Sequence, residues 1–147
     1  MTGKLILAAG GTGGHIWPAI SFGRWIAENK PDVSVSYICG SRPLELEIYA
    51  AAGIEPHCLN IDGSPFSGSG IERLKRAWGQ VAALRESASF IRSESPDFVL
   101  LFGGYVTFPV LLASRMLKAP SAIHEQNAYA GKVTRIASLM GVEIYSG

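Results

Sequence analysis

A glycine-rich turn that ends in a histidine is the segment whose residue types point most directly to chemistry. Residues 10–14 read Gly-Gly-Thr-Gly-Gly, and His15 follows them. Such a turn exposes backbone N–H groups, and at the N-terminus of a helix these groups bind anions such as phosphate. The imidazole of His15 can accept a proton from an attacking hydroxyl group. The segment therefore predicts a phosphate-bearing ligand next to a general base.

Both features also have a structural interpretation. Glycines permit a helix to pack closely on a sheet, and a histidine near the start of a helix can bond a backbone group. The two common nucleotide motifs do not fit. A G-x-G-x-x-G turn needs glycine where Ile16 stands, and residues 39–41, which read Cys-Gly-Ser, offer no acid for a ribose. A Walker A loop needs Gly-Lys followed by Ser or Thr, a triplet that the sequence lacks.

A second glycine pair follows a strongly apolar run. Residues 98–102 read Phe-Val-Leu-Leu-Phe, and Gly103, Gly104 and Tyr105 come next. Glycines at the end of a strand let a ligand approach the backbone, and a phenol can stack on a ligand or form a hydrogen bond with it. The segment is a candidate binding loop.

A third cluster gathers four polar side chains directly after another apolar segment. Residues 124–127 read His-Glu-Gln-Asn. Polar groups next to a buried strand are costly unless they bind one another or a ligand, and both interpretations stay open here. His124, Glu125 and Asn127 are the candidate binding residues of this cluster.

A concentration of positive charge lies between residues 70 and 92. This segment holds five basic and two acidic residues, a net charge of +3 in a chain whose formal net charge is +1. Together with a preceding aromatic residue it can form a surface that rests on anionic lipid headgroups. The candidate membrane contacts are Phe66, Arg73, Lys75, Arg76 and Trp78. Alternatively, the Ile, Leu and Val stripe of this segment packs on a sheet.

The elements that position these segments alternate between strand and helix patterns. Strands are predicted over residues 5–9, 33–38, 54–61, 98–102, 121–123 and 142–145. The first predicted helix has Pro18 in its first turn and ends at residue 29. Further helices are predicted over residues 43–52, 71–93, 105 to about 118 and 132–140. This order predicts an α/β fold with a doubly wound, Rossmann-like parallel sheet, and ligands that bind beyond the carboxyl ends of its strands.

Composition limits the class of protein. The chain has 147 residues, of which 48% are hydrophobic and 17% charged, which fits one globular domain and excludes intrinsic disorder. The low net charge argues against nucleic acid as a partner. Cys39 and Cys58 lie too far apart in sequence to suggest a zinc site or a disulfide framework. The apolar run near the N-terminus is too short for a leader peptide or a membrane span, so a reducing, cytoplasmic setting is expected.

Three segments in combination, at residues 9–15, 103–106 and 124–127, resemble the amino-terminal half of the MurG-type glycosyltransferases. These peptidoglycan enzymes add N-acetylglucosamine to a lipid-linked muramyl-peptide. The resemblance implies a GT-B architecture of two Rossmann-like domains that face a cleft. Residues 1–147 would then be the acceptor-binding domain, and the donor-binding carboxyl-terminal domain would be absent from this chain.

The resemblance also implies roles for individual residues. His15 matches the histidine that activates the acceptor hydroxyl, while Thr12, Gly13, Gly14 and Asn127 match positions that reach across the cleft to the donor. The implied partners are UDP-N-acetylglucosamine, the lipid-linked acceptor, a carboxyl-terminal domain and the cytoplasmic face of the membrane, where the protein would be peripheral. The implied reaction needs neither a metal ion nor a cofactor.

Two other functions stay open. The chain can be an acceptor-binding or membrane-docking subunit or fragment that has no activity of its own. It can also belong to another GT-B enzyme, such as a sugar-nucleotide epimerase, although the second and third segments argue against this.

Overall fold

Strands and helices alternate along the whole of the computed structural model, which describes residues 2–63 and 69–146 but not the side chain of residue 73. The strands are β1 (Gly3–Ala8), β2 (Val33–Cys39), β3 (His57–Cys58), β4 (Phe98–Leu101), β5 (Ser121–Glu125) and β6 (Glu143–Ser146). The helices are α1 (Gly13–Asn29), α2 (Pro43–Ala51), α3 (Gly70–Glu94), α4 (Thr107–Met116) and α5 (Lys132–Leu139).

All six strands are parallel and form one sheet in the order β3-β2-β1-β4-β5-β6. This confirms the predicted doubly wound, Rossmann-like α/β fold. The chain builds the sheet outward from β1 to β3, returns to place β4 beside β1, and continues to the other edge. The direction of winding therefore changes between β1 and β4, and in sheets of this kind ligands bind in the crevice at the carboxyl ends of two such strands.

Apolar side chains fill both faces of the sheet. In β1, Ile6 and Ala8 belong to one buried cluster, whereas Leu7 belongs to the other. The first cluster joins the sheet to α3, α4 and α5, and the second joins it to α1 and α2. Because these strands are buried on both faces, they read as continuous apolar runs and not as alternating patterns.

The third strand is shorter than predicted. The sequence pattern covers residues 54–61, but β3 spans only His57–Cys58 and pairs with β2 alone at the edge of the sheet. Pro56 has no N–H group to add to the ladder. Beyond the strand the chain turns, and the Ile61 N–H donates to the Leu59 carbonyl over 2.7 Å. The predicted length of this strand was wrong, because an apolar pattern does not show where pairing with the neighbouring strand ends.

Two element boundaries also differ from the prediction. β5 extends through Glu125, so His124 and Glu125 are strand residues and not members of an exit loop. Helix α1 begins at Gly13, with Thr12 as its N-cap. Pro18 consequently lies in the second turn of α1 and not in the first.

Helix α3 buries its apolar side chains only in its second half. In the first half, Gln80 is buried and donates to the Gly63 carbonyl over 3.1 Å, but the apolar side chains are exposed. Ala83 and Ile91 are buried in the core. In the first half, Ile71, Leu74 and Trp78 are 73%, 64% and 74% exposed. The interpretation that most of the Ile, Leu and Val stripe packs on the sheet was therefore wrong for this half of the helix.

Candidate functional site

The glycine turn after β1 presents a row of free backbone donors. Gly11 has a φ of +93°, and Thr12 then starts α1 in an extended conformation without a side-chain cap bond. Within the described residues, the N–H groups of Thr12, Gly13 and Gly14 have no hydrogen-bond partner. Consecutive free donors at the N-terminus of a long helix form a site suited to a phosphate or diphosphate group.

The second glycine pair fits against this turn. Gly103 and Gly104 have φ values of +104° and +83°. A Cβ atom on Gly103 would lie 2.6 Å from Nδ1 of His15, and one on Gly104 would overlap the carbonyl oxygen of Gly10. The close neighbour that requires these glycines is therefore the first turn itself. Their contact with a ligand stays a prediction.

His15 is half-buried at the meeting point of the three segments. Its Nδ1 atom lies 3.0 Å from the carbonyl oxygen of Phe102, at the end of β4. A carbonyl only accepts, so a proton on Nδ1 would donate to it and leave the lone pair on Nε2, whereas the Gln126 amide can donate to Nδ1 only in the other tautomer. The contact with Phe102 agrees with the structural interpretation of His15, a bond to a backbone group, and its role as a base stays a prediction.

The side chain of Gln126 links the segment after β5 to His15 and to the backbone of Phe102 and Gly14, a role that the sequence did not reveal. Its Nε2 atom donates to the carbonyl oxygens of Phe102 (2.9 Å) and Gly14 (3.2 Å) and contacts Nδ1 of His15. The Gly14 carbonyl is available because Pro18, four residues later in α1, has no N–H to donate to it. The spacing of Gly14 and Pro18 was the one sequence signal for this contact.

Glu125 organises the segment after β5. Its carboxylate accepts hydrogen bonds from the backbone N–H (3.1 Å) and side-chain amide (2.8 Å) of Asn127. It also accepts from the Gly131 N–H (3.2 Å) and the Thr134 hydroxyl (2.7 Å). Of the two interpretations of this cluster, mutual binding holds for Glu125 and Asn127. A ligand contact by Asn127 stays a prediction.

These bonds set the pH dependence that we expect for stability. Burial opposes ionisation of Glu125, but the bonds from Thr134, Gly131 and Asn127 together outweigh it and lower the pKa. The stability that Glu125 contributes is therefore present above the ordinary glutamate pKa and is lost as the pH falls through its lower folded pKa. Glu125→Gln is expected to cost about 1–3 kcal/mol at pH 7 and much less near pH 3, measured by urea unfolding. An equal cost at both pH values would contradict this, and exposed Glu47→Gln is the control.

His124 points to the opposite face of the sheet from Glu125. Its ring lies 5.3 Å from that of Phe102 and lines an apolar groove of about 480 Å³ beside Phe22 and Tyr145. Its Nδ1 atom is buried, and no group among the described residues bonds it. A contact between His124 and a substrate stays a prediction.

Tyr105 is directed into the protein, towards a carboxylate that the sequence analysis missed. Its hydroxyl donates to Glu45, and the Arg42 guanidinium lies 4.8 Å from the centre of its ring. Burial and the bond to Glu45 raise the pKa of Tyr105. The phenol is thus occupied inside the protein, and a ligand contact by Tyr105 stays a prediction.

Comparison with known proteins identifies the family. The model of the glycosyltransferase family 28 N-terminal domain matches residues 5–145. The chain belongs to this family. Among curated relatives of this family 28 domain is the UDP-N-acetylglucosamine–N-acetylmuramyl-(pentapeptide) pyrophosphoryl-undecaprenol N-acetylglucosamine transferase of Carboxydothermus hydrogenoformans. It is 36% identical over 133 residues, which cover 90% of this chain and 36% of the relative. The enzyme of the same name from Lactococcus lactis subsp. cremoris is 36% identical over 132 residues, covering 90% of this chain and 37% of that protein.

Solved structures agree with this family assignment. The crystal structure of Acinetobacter baumannii MurG matches with a TM-score of 0.80 and 29% identity, over 98% of this chain and 41% of the MurG chain. A UDP-N-acetylglucosamine 2-epimerase from Listeria monocytogenes matches with a TM-score of 0.74 at 15% identity, over 99% of this chain and 39% of the other. That likeness shows the fold alone. The chain spans just over a third of the length of the curated relatives that it matches.

Proposed function

We propose that this chain is the acceptor-side half of an inverting N-acetylglucosaminyltransferase. The reaction moves N-acetylglucosamine from UDP-N-acetylglucosamine to the 4-hydroxyl of a lipid-linked muramyl-peptide. The observation that carries the proposal is the position of His15, whose ring is held at the end of β4 next to the free N–H groups of Thr12, Gly13 and Gly14. The names of the curated relatives supply the donor and the acceptor.

The residues suggest how the reaction proceeds. His15 removes the proton of the acceptor hydroxyl while its oxygen attacks the anomeric carbon of the sugar. The bond from that carbon to the diphosphate breaks on the opposite side, which inverts the configuration and releases UDP. The free N–H groups of the glycine turn offset the negative charge of a diphosphate group. A carboxyl-terminal domain, as in the longer relatives, would hold most of the donor.

A chimeric enzyme tests this proposal. Residues 1–147 are joined to the part of Acinetobacter baumannii MurG that follows the matched region, and transfer of labelled N-acetylglucosamine to a short-chain acceptor analogue is measured. We expect transfer by the chimera and none by residues 1–147 alone, since the isolated chain lacks a donor domain. A chimera that unfolds cooperatively and binds UDP-N-acetylglucosamine, yet does not transfer the sugar, would contradict the proposal.

Helix α3 supports a second part of the proposal, which is docking on the cytoplasmic face of a membrane. Ile71, Leu74, Lys75 and Trp78, here named the α3 patch, are exposed. Their spacing places the apolar members along one side of the helix, and a lysine beside an apolar stripe suits anionic lipid headgroups. Arg76 is half-buried at the edge of the patch, whereas Phe66 and the side chain of Arg73 lie outside the described residues. No helix in the described ranges is long and apolar enough to cross a membrane.

Vesicle co-sedimentation tests the docking surface. Trp78→Ser and Lys75→Glu are expected each to lower the fraction bound to vesicles that contain anionic lipid, by roughly fivefold for the lysine, because one basic residue near such a surface contributes about 1 kcal/mol. The matched control is Leu139→Ser on α5, since Leu139 is 90% exposed but lies on another helix. An equal loss in the control, or no loss in either patch variant, would exclude the α3 patch as the contact.

A further inference from the structure

We infer that Glu45 is a positioning residue, whose buried carboxylate holds the glycine turn and the Gly103–Tyr105 segment in the geometry that binds a ligand. Helix α2 carries Glu45, two residues after its first residue, Pro43. The carboxylate is fully buried, and it lies behind the crevice and not in it. The claim that the turn binds an anion rests on the proposed function, whereas the contacts of Glu45 are independent of it.

The carboxylate joins three loops that each follow a different strand. Its Oε1 atom accepts from the Gly11 N–H after β1 (2.9 Å) and from the Tyr105 hydroxyl after β4. Its Oε2 atom accepts from the Gly40 N–H after β2 (2.7 Å). One side chain therefore ties together the carboxyl ends of the three neighbouring strands that border the crevice.

The chemistry of these contacts requires a carboxylate. A carboxylate accepts on both oxygens, whereas a glutamine amide accepts on one side and donates on the other. Two of the three donors are backbone N–H groups, which cannot turn away. With glutamine in place of Glu45, the amide NH₂ would face either the Gly11 or the Gly40 N–H, and one bond would become a contact between two donors.

Burial of this charge also needs an explanation, because an isolated buried carboxylate is costly. Within the described residues, no basic side chain forms an ion pair with Glu45, and Arg42 lies over the Tyr105 ring. The three hydrogen bonds are therefore the compensation for placing the charge there. An apolar residue would avoid the cost but would leave both glycine N–H groups unbonded.

The position of Gly11 connects these bonds to ligand binding. Gly11 directly precedes Thr12, Gly13 and Gly14, whose N–H groups are free. Because the Gly11 N–H donates to Glu45, it is not available to a ligand. This bond also fixes the direction in which the three following N–H groups point. At Gly40 a Cβ atom would overlap the Tyr105 hydroxyl, so the bond from Tyr105 to Glu45 also depends on glycine at that position.

Amide hydrogen exchange in residues 1–147, followed by NMR, tests the contacts. Glu45→Gln is expected to speed exchange at Gly11 or Gly40 by more than about tenfold relative to the Leu7 amide in the core of β1, because one bond in the network is lost. Tyr105→Phe keeps the carboxylate and should leave Gly11 and Gly40 protected. Glu47→Gln, on the exposed side of α2, is the matched control. Equal acceleration at all amides would show a role in general stability only and would overturn the inference.

The same spectra test the effect on a ligand. Inorganic pyrophosphate should shift the Thr12, Gly13 and Gly14 amides of the wild type, and its affinity should fall at least about tenfold in Glu45→Gln, the equivalent of one hydrogen bond. Unchanged affinity in that variant would overturn the positioning role. If pyrophosphate shifts none of these amides in the wild type, the proposed anion site fails, and the exchange rates still decide the contacts of Glu45.

Should Glu45→Gln not fold, Glu45→Asp keeps the charge but shortens the side chain. We expect its Gly11 or Gly40 amide to exchange faster than in the wild type, because a shorter carboxylate cannot reach both donors. Wild-type exchange and pyrophosphate affinity in Glu45→Asp would show that the charge alone is sufficient, and would overturn the positioning role.

Discussion

Replacement of His15 by alanine in the chimeric transferase is expected to lower kcat by about 10²–10⁴-fold, the usual contribution of a general base. The Nδ1 atom of the imidazole lies against the Phe102 carbonyl, and we propose that the ring removes the acceptor proton. The measurement is the initial rate of sugar transfer at saturating donor and acceptor. The unfolding midpoint should change little, because His15 is only half-buried.

His57→Ala is the matched control for this prediction. His57 lies in β3, where it stacks on Phe90 and pairs with Glu86 over 3.4 Å. Its removal should leave kcat unchanged. Near-normal turnover of the His15 variant would refute the assignment. Glu125 is a weak substitute as base, since its oxygens already accept four hydrogen bonds and its pKa is lowered.

Gly14→Val is expected to weaken binding of a pyrophosphate-containing acceptor analogue to residues 1–147 by roughly a hundredfold. A Cβ atom on Gly14 would meet only the Thr12 hydroxyl, at 3.6 Å. The added side chain would therefore extend into free space beside the free N–H groups of the glycine turn. Loss of two bonds to a charged phosphate, at about 1.5 kcal/mol each, corresponds to roughly a hundredfold in affinity. The measurement is calorimetric titration. Gly13 suits the test less well, because a Cβ atom there would press on Trp17 at 3.3 Å.

Ala27→Val provides the control for the glycine variant. Ala27 is exposed near the other end of the same helix, so the substitution adds a similar branched side chain far from the turn. Both variants should lose less than about 1 kcal/mol of unfolding free energy, the range of helix propensities among ordinary residues. A folded Gly14 variant with full affinity would contradict the proposed anion site.

The sequence predicted the fold well because its signals are local. The apolar runs of β1 and β4 and the glycines that end them specify buried parallel strands. β3 was predicted poorly because it is an edge strand, where Pro56 and a turn shorten the ladder. For α3, amphipathic spacing identified a helix but did not show that its apolar residues are buried only in the second half.

The site was less predictable, because its organising contacts join distant residues. The glycine turn, His15 and the polar cluster after β5 could be identified from residue types alone. Glu45 lies 34 residues from Gly11 and 60 from Tyr105, and Gln126 lies 111 residues from His15. Nothing local distinguishes Glu45 from Glu47, the exposed acid of the same helix, since the burial of Glu45 depends on how three loops meet.

Calorimetric titration of residues 1–147 tests the central claim most directly. A short-chain analogue of the lipid-linked muramyl-peptide, with its pyrophosphate, is titrated beside UDP-N-acetylglucosamine. If this chain is the acceptor-side half of a transferase, the acceptor analogue binds and the nucleotide sugar alone does not. Binding of the nucleotide sugar without the acceptor analogue would contradict the account, because it would assign the donor site to this domain.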